Sequence, residues 1–157
     1  MGRKFQTPSI YENLSVFQNL ELSFPKGRGV FGCLMFERTA DVVNRVNEIA
    51  TEIGLQESLQ LEAGLLSHGQ KQWLEIGMLL MQDPKVMLID EPVAGMTHQE
   101  IERTGQLLLS LQGECSVVVV EHDMEFVRSI ANRVTVLHEG SVLTEGTMNE
   151  VQNDPRV

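Results

Sequence analysis

An α/β fold is what the sequence predicts, with helices crossing over a parallel sheet and a β-hairpin near the C-terminus. Three observations predict it. First, two short apolar runs, Val86-Met87-Leu88-Ile89 and Val117-Val118-Val119-Val120, are each followed by a segment of helical periodicity. Strand, helix, strand, helix is the form of a parallel sheet with helical crossovers. Second, the chain changes character near Pro84 and is helical in pattern before it. Third, Val134 to His138 and Ser141 to Glu145 flank Glu139-Gly140, the layout of a hairpin. The expected division is therefore 1–84, helical, and 85–157, carrying the sheet.

Each element has its own signal. Ser15-Val16-Phe17-Gln18 has capping-box form and predicts a short helix. Lys26 to Gly32 is glycine-rich and reads as a loop. Val42, Val46, Ile49, Ala50 and Ile53 recur at helical spacing, with Gly54 where a C-terminal cap is wanted. A loop through Glu62-Ala63-Gly64 leads to a helix from about Gln70 to Met81, stopped by Asp83-Pro84. The run ending in Asp90-Glu91-Pro92 reads as a strand buried on both faces, as parallel strands are. Thr97-His98-Gln99-Glu100 caps a helix with Ile101, Thr104, Leu108 and Leu111 on one side, ended by Gly113. Ser116 to Val120 reads as a second buried strand, followed by Glu121-His122-Asp123 and a helix from about Met124 to Ala131. Thr147-Met148-Asn149-Glu150 caps a last short helix.

Composition narrows the function classes. Among 157 residues, 12 Lys and Arg face 22 Asp and Glu, a formal charge of −10. An acidic chain is repelled by nucleic acid and by anionic lipid, so phosphate-backbone binding is not expected. Cys33 and Cys115 form no metal or redox motif and read as free thiols of a reducing compartment. No apolar run is long enough to span a bilayer, and Met1-Gly2-Arg3-Lys4-Phe5-Gln6 lacks the apolar stretch of a signal peptide. A cytoplasmic protein is expected.

Ligands of such sheets sit beyond the C-terminal ends of the strands. Both strands here end in ionisable groups, Asp90-Glu91 and Glu121-His122. A carboxylate at a strand end can hold a water-coordinated Mg²⁺, and a second can orient an attacking water. An isolated Asp-Glu pair is more often a polar turn after a buried strand. Leu66-Ser67-His68-Gly69-Gln70 lies directly ahead of a helix, where a hydroxyl and a glycine make a natural phosphate site; read alone, Ser67 is simply a cap. His68, His98 and His138 show no ligand spacing, so zinc is not expected. Gly27-Arg28-Gly29-Val30-Phe31-Gly32 matches G-x-G-x-x-G but follows a helical segment rather than a strand, and is read as a loop.

Together these residues resemble the ATP-binding cassette (ABC) ATPases. Leu66-Ser67-His68-Gly69-Gln70 looks like the family signature, with His68 where glycine is common. Val86 to Glu91 resembles the Walker B strand. Ala94-Gly95-Met96-Thr97 falls at the D-loop, with Thr97 in place of the usual aspartate. His122 matches the switch histidine, and Gln6 before Thr7-Pro8 looks like the Q-loop glutamine. Within the family, Ser67 to Met78, Pro92 to Thr97 and Val120 to Met124 are most similar to ATPase subunits of urea importers, then of branched-chain amino acid importers.

The resemblance implies a partial P-loop NTPase fold: 1–84 as Q-loop and helical subdomain, 85–157 as the C-terminal part of the nucleotide-binding core. It implies ATP and Mg²⁺, with Asp90 serving the metal, Glu91 the attacking water, His122 the γ-phosphate, and Gln6 linking metal and water to a membrane subunit. Ser67, His68, Gly69 and Gln70 would face the ATP of a second ATPase subunit. Transmembrane permease subunits would hold the protein at the inner face of the membrane without direct insertion.

No G-x-x-x-x-G-K-[ST] sequence occurs in the 157 residues. In the family that loop precedes the Q-loop glutamine, so the expectation is a chain truncated ahead of Gln6 and unable to hold ATP alone. Micromolar to millimolar binding is about −8 to −4 kcal/mol, and hydrogen bonds to charged groups are worth about 1.5–3 kcal/mol each. Losing three is enough to abolish it. The missing strand would lie between Val117–Glu121 and Val134–His138, leaving apolar edges that invite a homodimer, a swapped oligomer or direct pairing of those two strands. The alternatives are a non-catalytic module that binds a partner ATPase or membrane subunit, and a metal-dependent phosphoesterase built on Asp90, Glu91 and His122.

Overall fold

Four of the six helices described in the computed structural model begin on a reciprocal cap, in which a Ser or Thr oxygen accepts from the N3 amide while the N3 Gln or Glu accepts from the cap amide. The structure describes residues 2–3, 10–25 and 39–157. The expected glycine-rich loop and G-x-G-x-x-G match, Cys33 and Gln6 lie outside them. In chain order the elements are β1 (Gly2–Arg3), α1 (Val16–Ser23), α2 (Ala40–Glu52), α3 (His68–Leu80), β2 (Val86–Asp90), α4 (His98–Ser110), β3 (Ser116–Val120), α5 (Met124–Ile130), β4 (Val134–His138), β5 (Ser141–Gly146) and α6 (Met148–Gln152). Two compact units result, Met1–Val120 and Glu121–Val157.

In the first unit α1, α2 and α3 share a core in which Val16, Leu20, Val46, Leu74 and Ile76 are wholly buried. Gly77 lets the helices approach: a Cβ there would lie 2.6 Å from Ile53 Cδ1 and 3.1 Å from Leu20 Cδ2. The buried Asn19 organises the preceding turn. Its Oδ1 accepts from Tyr11 N (2.8 Å), and its amide donates to the carbonyls of Tyr11, Leu14 and Ser15. Asn19→Leu leaves the Tyr11 N–H without its acceptor and takes one donor from each of the three carbonyls, which keep their backbone bonds from Leu14, Ala63 and Asn19 N–H. It should cost about 2–3 kcal/mol, measured as a loss of unfolding free energy in urea.

β2 is central in a parallel sheet of order β1-β2-β3. Its register runs Val86↔Ser116 to Asp90↔Val120 on one side and Gly2↔Met87, Arg3↔Leu88 on the other. Met87 and Ile89 are buried, so β2 anchors the core as expected, although its alternate residues are only half-buried. β3 corrects the sequence reading: Val118 is 47% and Val120 62% exposed. The run of valines met the composition of a buried strand, but among the described residues β3 is the sheet's edge, with β2 as its ladder partner. Among the described residues the Val134–His138 strand pairs with β5, not with Val117–Glu121 as one expectation had it.

Three smaller differences have identifiable causes. α3 starts at His68 because Ser67 and Gln70 form a capping box, two residues before the expected start. The loop expected at Glu62 to Gly64 contains a 3₁₀ turn, Ala63–Leu65. β1 carries no hydrophobic pattern and exists only through its pairing with β2.

In the second unit the hairpin β4–β5 turns at Glu139 (φ 47°) and Gly140 (φ 78°), the two successive left-handed residues that a tight hairpin needs. Val151 of α6 and Phe126 of α5 are buried. Asp123 caps α5 by accepting from Glu125 N and Phe126 N, both at 3.0 Å.

Candidate functional site

Ser67 sits at the N-cap of α3 in extended conformation (φ −61°, ψ 165°), the geometry that aims a cap oxygen at the first helical turn. Its Oγ accepts from Gln70 N (3.2 Å), and its own N–H donates to Gln70 Oε1 (2.9 Å). Gln70 is thus a capping residue of its own helix. The Ser67 hydroxyl donates to Glu100 Oε1 at 3.2 Å, a partner 33 positions away. Gly69 faces the same carboxylate, for a Cβ there would collide with Glu100 Oε1. His68 Nε2–H donates to the Ala94 carbonyl at 3.1 Å, which fixes the proton on that nitrogen because a carbonyl only accepts.

The segment carrying Ala94 follows β2 directly. Asp90 closes the ladder opposite Val120. Glu91 leaves it in the left-handed region (φ 46°), with its N–H donating to Val120 O at 2.9 Å. A non-glycine residue there stores about 1–3 kcal/mol of strain, and such residues cluster at functional sites. Gly95 (φ 72°) completes the turn and Met96 N donates to Val93 O (3.2 Å). Thr97 then caps α4. Glu100 Oε2 accepts from both Thr97 N and Thr97 Oγ1 at 2.9 Å. These bonds, the Thr97 N–H first, hold the Glu100 carboxyl below its ordinary value, with Ser67 and His68 adding to the effect.

α3 and α4 are tied again further along. Trp73 Nε1 donates to the buried Thr104 Oγ1 (2.9 Å), and the Arg103 guanidinium lies 4.5 Å from the Trp73 ring centroid. Arg103 also donates to Gly54 O at 3.2 Å, which closes the C-terminal end of α2. The structure therefore brings Ser67, His68, Gly69 and Gln70 together with Ala94, Gly95, Met96 and Thr97, immediately downstream of Asp90 and Glu91.

His122 lies in the turn between β3 and α5, in the Glu121–Val157 unit. Its side chain is 79% exposed, with Nδ1 3.7 Å from Glu121 Oε2. The Glu121 carboxylate is buried and also accepts from the N–H of His122 (2.9 Å). The residue that sequence reasoning missed is Glu100. Its cap with Thr97 is local and was readable, but its reach to Ser67 is tertiary.

The donor set suits Mg²⁺. Asp90 offers a hard carboxylate at a strand end, and Mg²⁺ takes one or two carboxylates while waters and phosphate oxygens complete its shell. ATP phosphate suits the Ser67 end of α3, a 13-residue helix whose N-terminal peptide dipoles favour an anion.

An α/β core in which the start of α3 is hydrogen-bonded to the turn after a strand-end carboxylate pair matches the order of elements expected of an ATP-binding cassette. A family model described as ABC transporter matches residues 1–94, and the chain belongs to that family. It is 30% identical over 158 residues to LivG of Salmonella typhimurium, a high-affinity branched-chain amino acid transport ATP-binding protein, covering 99% of this chain and 62% of LivG. It is 32% identical over 158 residues to BraF of Pseudomonas aeruginosa, a protein of the same description, with the same coverage. Among solved structures it is similar to MJ1267, an ATP-binding cassette of an ABC transporter, with a TM-score of 0.82 at 25% identity over 99% of this chain and 65% of that one. The chain thus spans 62% of the length of these two curated relatives.

Proposed function

We propose that this chain is the signature-bearing part of the ATP-binding subunit of an ABC importer, of the branched-chain amino acid or urea type, working at the inner face of a membrane through permease subunits. Among the described residues no helix is long and apolar enough to cross a membrane. One observation carries the reading: the signature turn at Ser67 and the D-loop at Ala94 to Thr97 are hydrogen-bonded to each other beside the strand that ends in Asp90-Glu91. LivG and BraF, which match 99% of this chain, are branched-chain amino acid transport ATP-binding proteins.

The roles follow from chemistry. Ser67 and Gly69 face the γ-phosphate of an ATP bound to a second ATPase subunit: the serine supplies a hydroxyl donor, and the glycine has no side chain to block the approach beside the Glu100 carboxylate. Asp90 holds Mg²⁺, Glu91 orients the attacking water, His122 donates to the γ-phosphate and Gln6 connects water and metal to the permease. Mg²⁺ supplies charge neutralisation on the phosphates. Residues 1–84 act as the Q-loop and helical subdomain and 85–157 as part of the nucleotide-binding core. The exposed edge of β3 supports a homodimer or swapped oligomer of this chain in isolation.

The 157 residues contain no G-x-x-x-x-G-K-[ST] sequence, so this polypeptide by itself should hold Mg-ATP too weakly to turn it over. Isothermal calorimetry tests this. With the chain alone no heat of binding should be seen below millimolar ATP, whereas a mixture with a complete ATP-binding subunit should bind ATP more tightly than that subunit alone. Micromolar binding by the chain alone, or steady turnover dependent on Glu91, would overturn the reading. Association with the complete subunit but no effect on its nucleotide would favour a non-catalytic interaction module.

A further inference from the structure

We propose that Glu100 is a positioning residue of the signature turn: its carboxylate holds the Ser67 hydroxyl and clamps the N-terminus of α3 to the D-loop, and a nucleotide phosphate takes that hydroxyl only by displacing it. This deepens the proposed function and rests on the reading that Ser67 meets the phosphate of a partner's ATP. The geometry is specific. A serine hydroxyl has one hydrogen, and here it points to Glu100 Oε1 at 3.2 Å. The other carboxylate oxygen is fixed by two bonds from Thr97, so Glu100 cannot follow Ser67 if the turn moves. Gly69 is the residue that admits the carboxylate to the helix end, since any side chain there would collide with it. His68 adds a second tie between the same two segments through the Ala94 carbonyl.

Three consequences follow from charge. An anion at a helix N-terminus is stabilised by the peptide dipoles, so Glu100 occupies the electrostatic position that a phosphate would take. Two anions at one helix end repel, which makes their occupancy exclusive. Because the contact is solvent-exposed, the phosphate has access. Thr97, which stands where the family usually has aspartate, matters here: a hydroxyl in that place holds the carboxylate, where a second carboxylate would repel it.

Two measurements test the clamp and keep its failure separate from that of the proposed function. The first needs no nucleotide. In the chain alone, the amide resonances of Gly69 and Gln70 should shift in the acid range below the ordinary carboxylate midpoint, following Glu100. Glu100→Gln should abolish that transition, and Gly69→Ala should shift it upward by ejecting the carboxylate. An unchanged acid transition in Glu100→Gln overturns the clamp, whatever the chain does with ATP.

The second uses the chain mixed with a complete ATP-binding subunit and reads Mg-ATP turnover. If the wild-type chain stimulates turnover, Glu100→Gln should lower the KM for ATP about fivefold, the scale of one weakened hydrogen bond to a charged group, with kcat changed less than about twofold. A loss of capping alone would raise KM or depress both. An unchanged or raised KM overturns the proposal while leaving the signature reading intact. If the wild-type chain gives no stimulation, the signature reading falls and takes the phosphate-competition half of the proposal with it, and the amide titration decides the clamp itself.

Discussion

Ser67→Ala is expected to cut at least tenfold the turnover that this chain restores to a complete ATP-binding subunit. The Ser67 hydroxyl has two tasks in the proposed assembly. Its oxygen accepts from Gln70 N and caps α3, and its hydrogen, held by Glu100 in the chain alone, is the donor for a phosphate. A hydrogen bond to a charged group contributes about 1.5–3 kcal/mol, or about 10- to 100-fold in rate if made in the transition state. The lost cap adds a separate destabilisation of about 1 kcal/mol. Ser67→Thr keeps both the cap oxygen and the hydroxyl, so it should recover stability and a substantial part of the turnover. Denaturant melts beside ATP turnover would separate the two tasks. If Ser67→Ala loses stability but stimulates turnover normally, the serine is a cap and nothing more.

The largest stability effect is expected at Trp73, which is 5% exposed between α3 and α4. Trp73→Ala removes a large buried ring, the bond to Thr104 Oγ1 and the surface under Arg103. Such truncations cost about 3–5 kcal/mol, equivalent to a Tm lower by about 10 °C in a chain of this size. Trp73→Phe keeps most of the ring and loses the indole donor, so its cost should be smaller, about 1–2 kcal/mol. Since α3 begins beside Ser67 and α4 follows the Ala94–Thr97 turn, Trp73→Ala should also broaden the Gly69 and Gln70 amides. Calorimetric melting with both variants checks the order. Equal losses in the two would place the whole effect in the hydrogen bond rather than in packing.

Local chemistry made most of the fold legible in advance. Ser15 with Gln18, Thr97 with Glu100 and Thr147 with Glu150 each declare a helix start within four residues, and all three are formed. Glu139-Gly140 announced the hairpin in the same way. Ser67 with Gln70 carries the same code and starts α3 two residues ahead of the expected Gln70. What stayed hidden depends on partners distant in sequence. Gly2-Arg3 becomes a strand only because β2 lies alongside. The exposure of Val118 and Val120 depends on the edge position of β3, which four valines do not encode. The strained backbone of Glu91 and the reach of Glu100 to Ser67 are likewise tertiary facts. The contacts that join Ser67 to Glu100 and His68 to Ala94 were not readable.

The most direct measurement of the central claim is complementation. A complete ATP-binding subunit whose own signature serine is replaced should form homodimers of low turnover, so any rise above that baseline on adding this chain is assigned to Ser67 and Gly69. The account predicts saturable Mg-ATP hydrolysis that rises with added chain and is lost when the complete subunit's phosphate-binding lysine is mutated. No hydrolysis at saturating chain, with the two proteins either co-sedimenting or failing to associate, would contradict it.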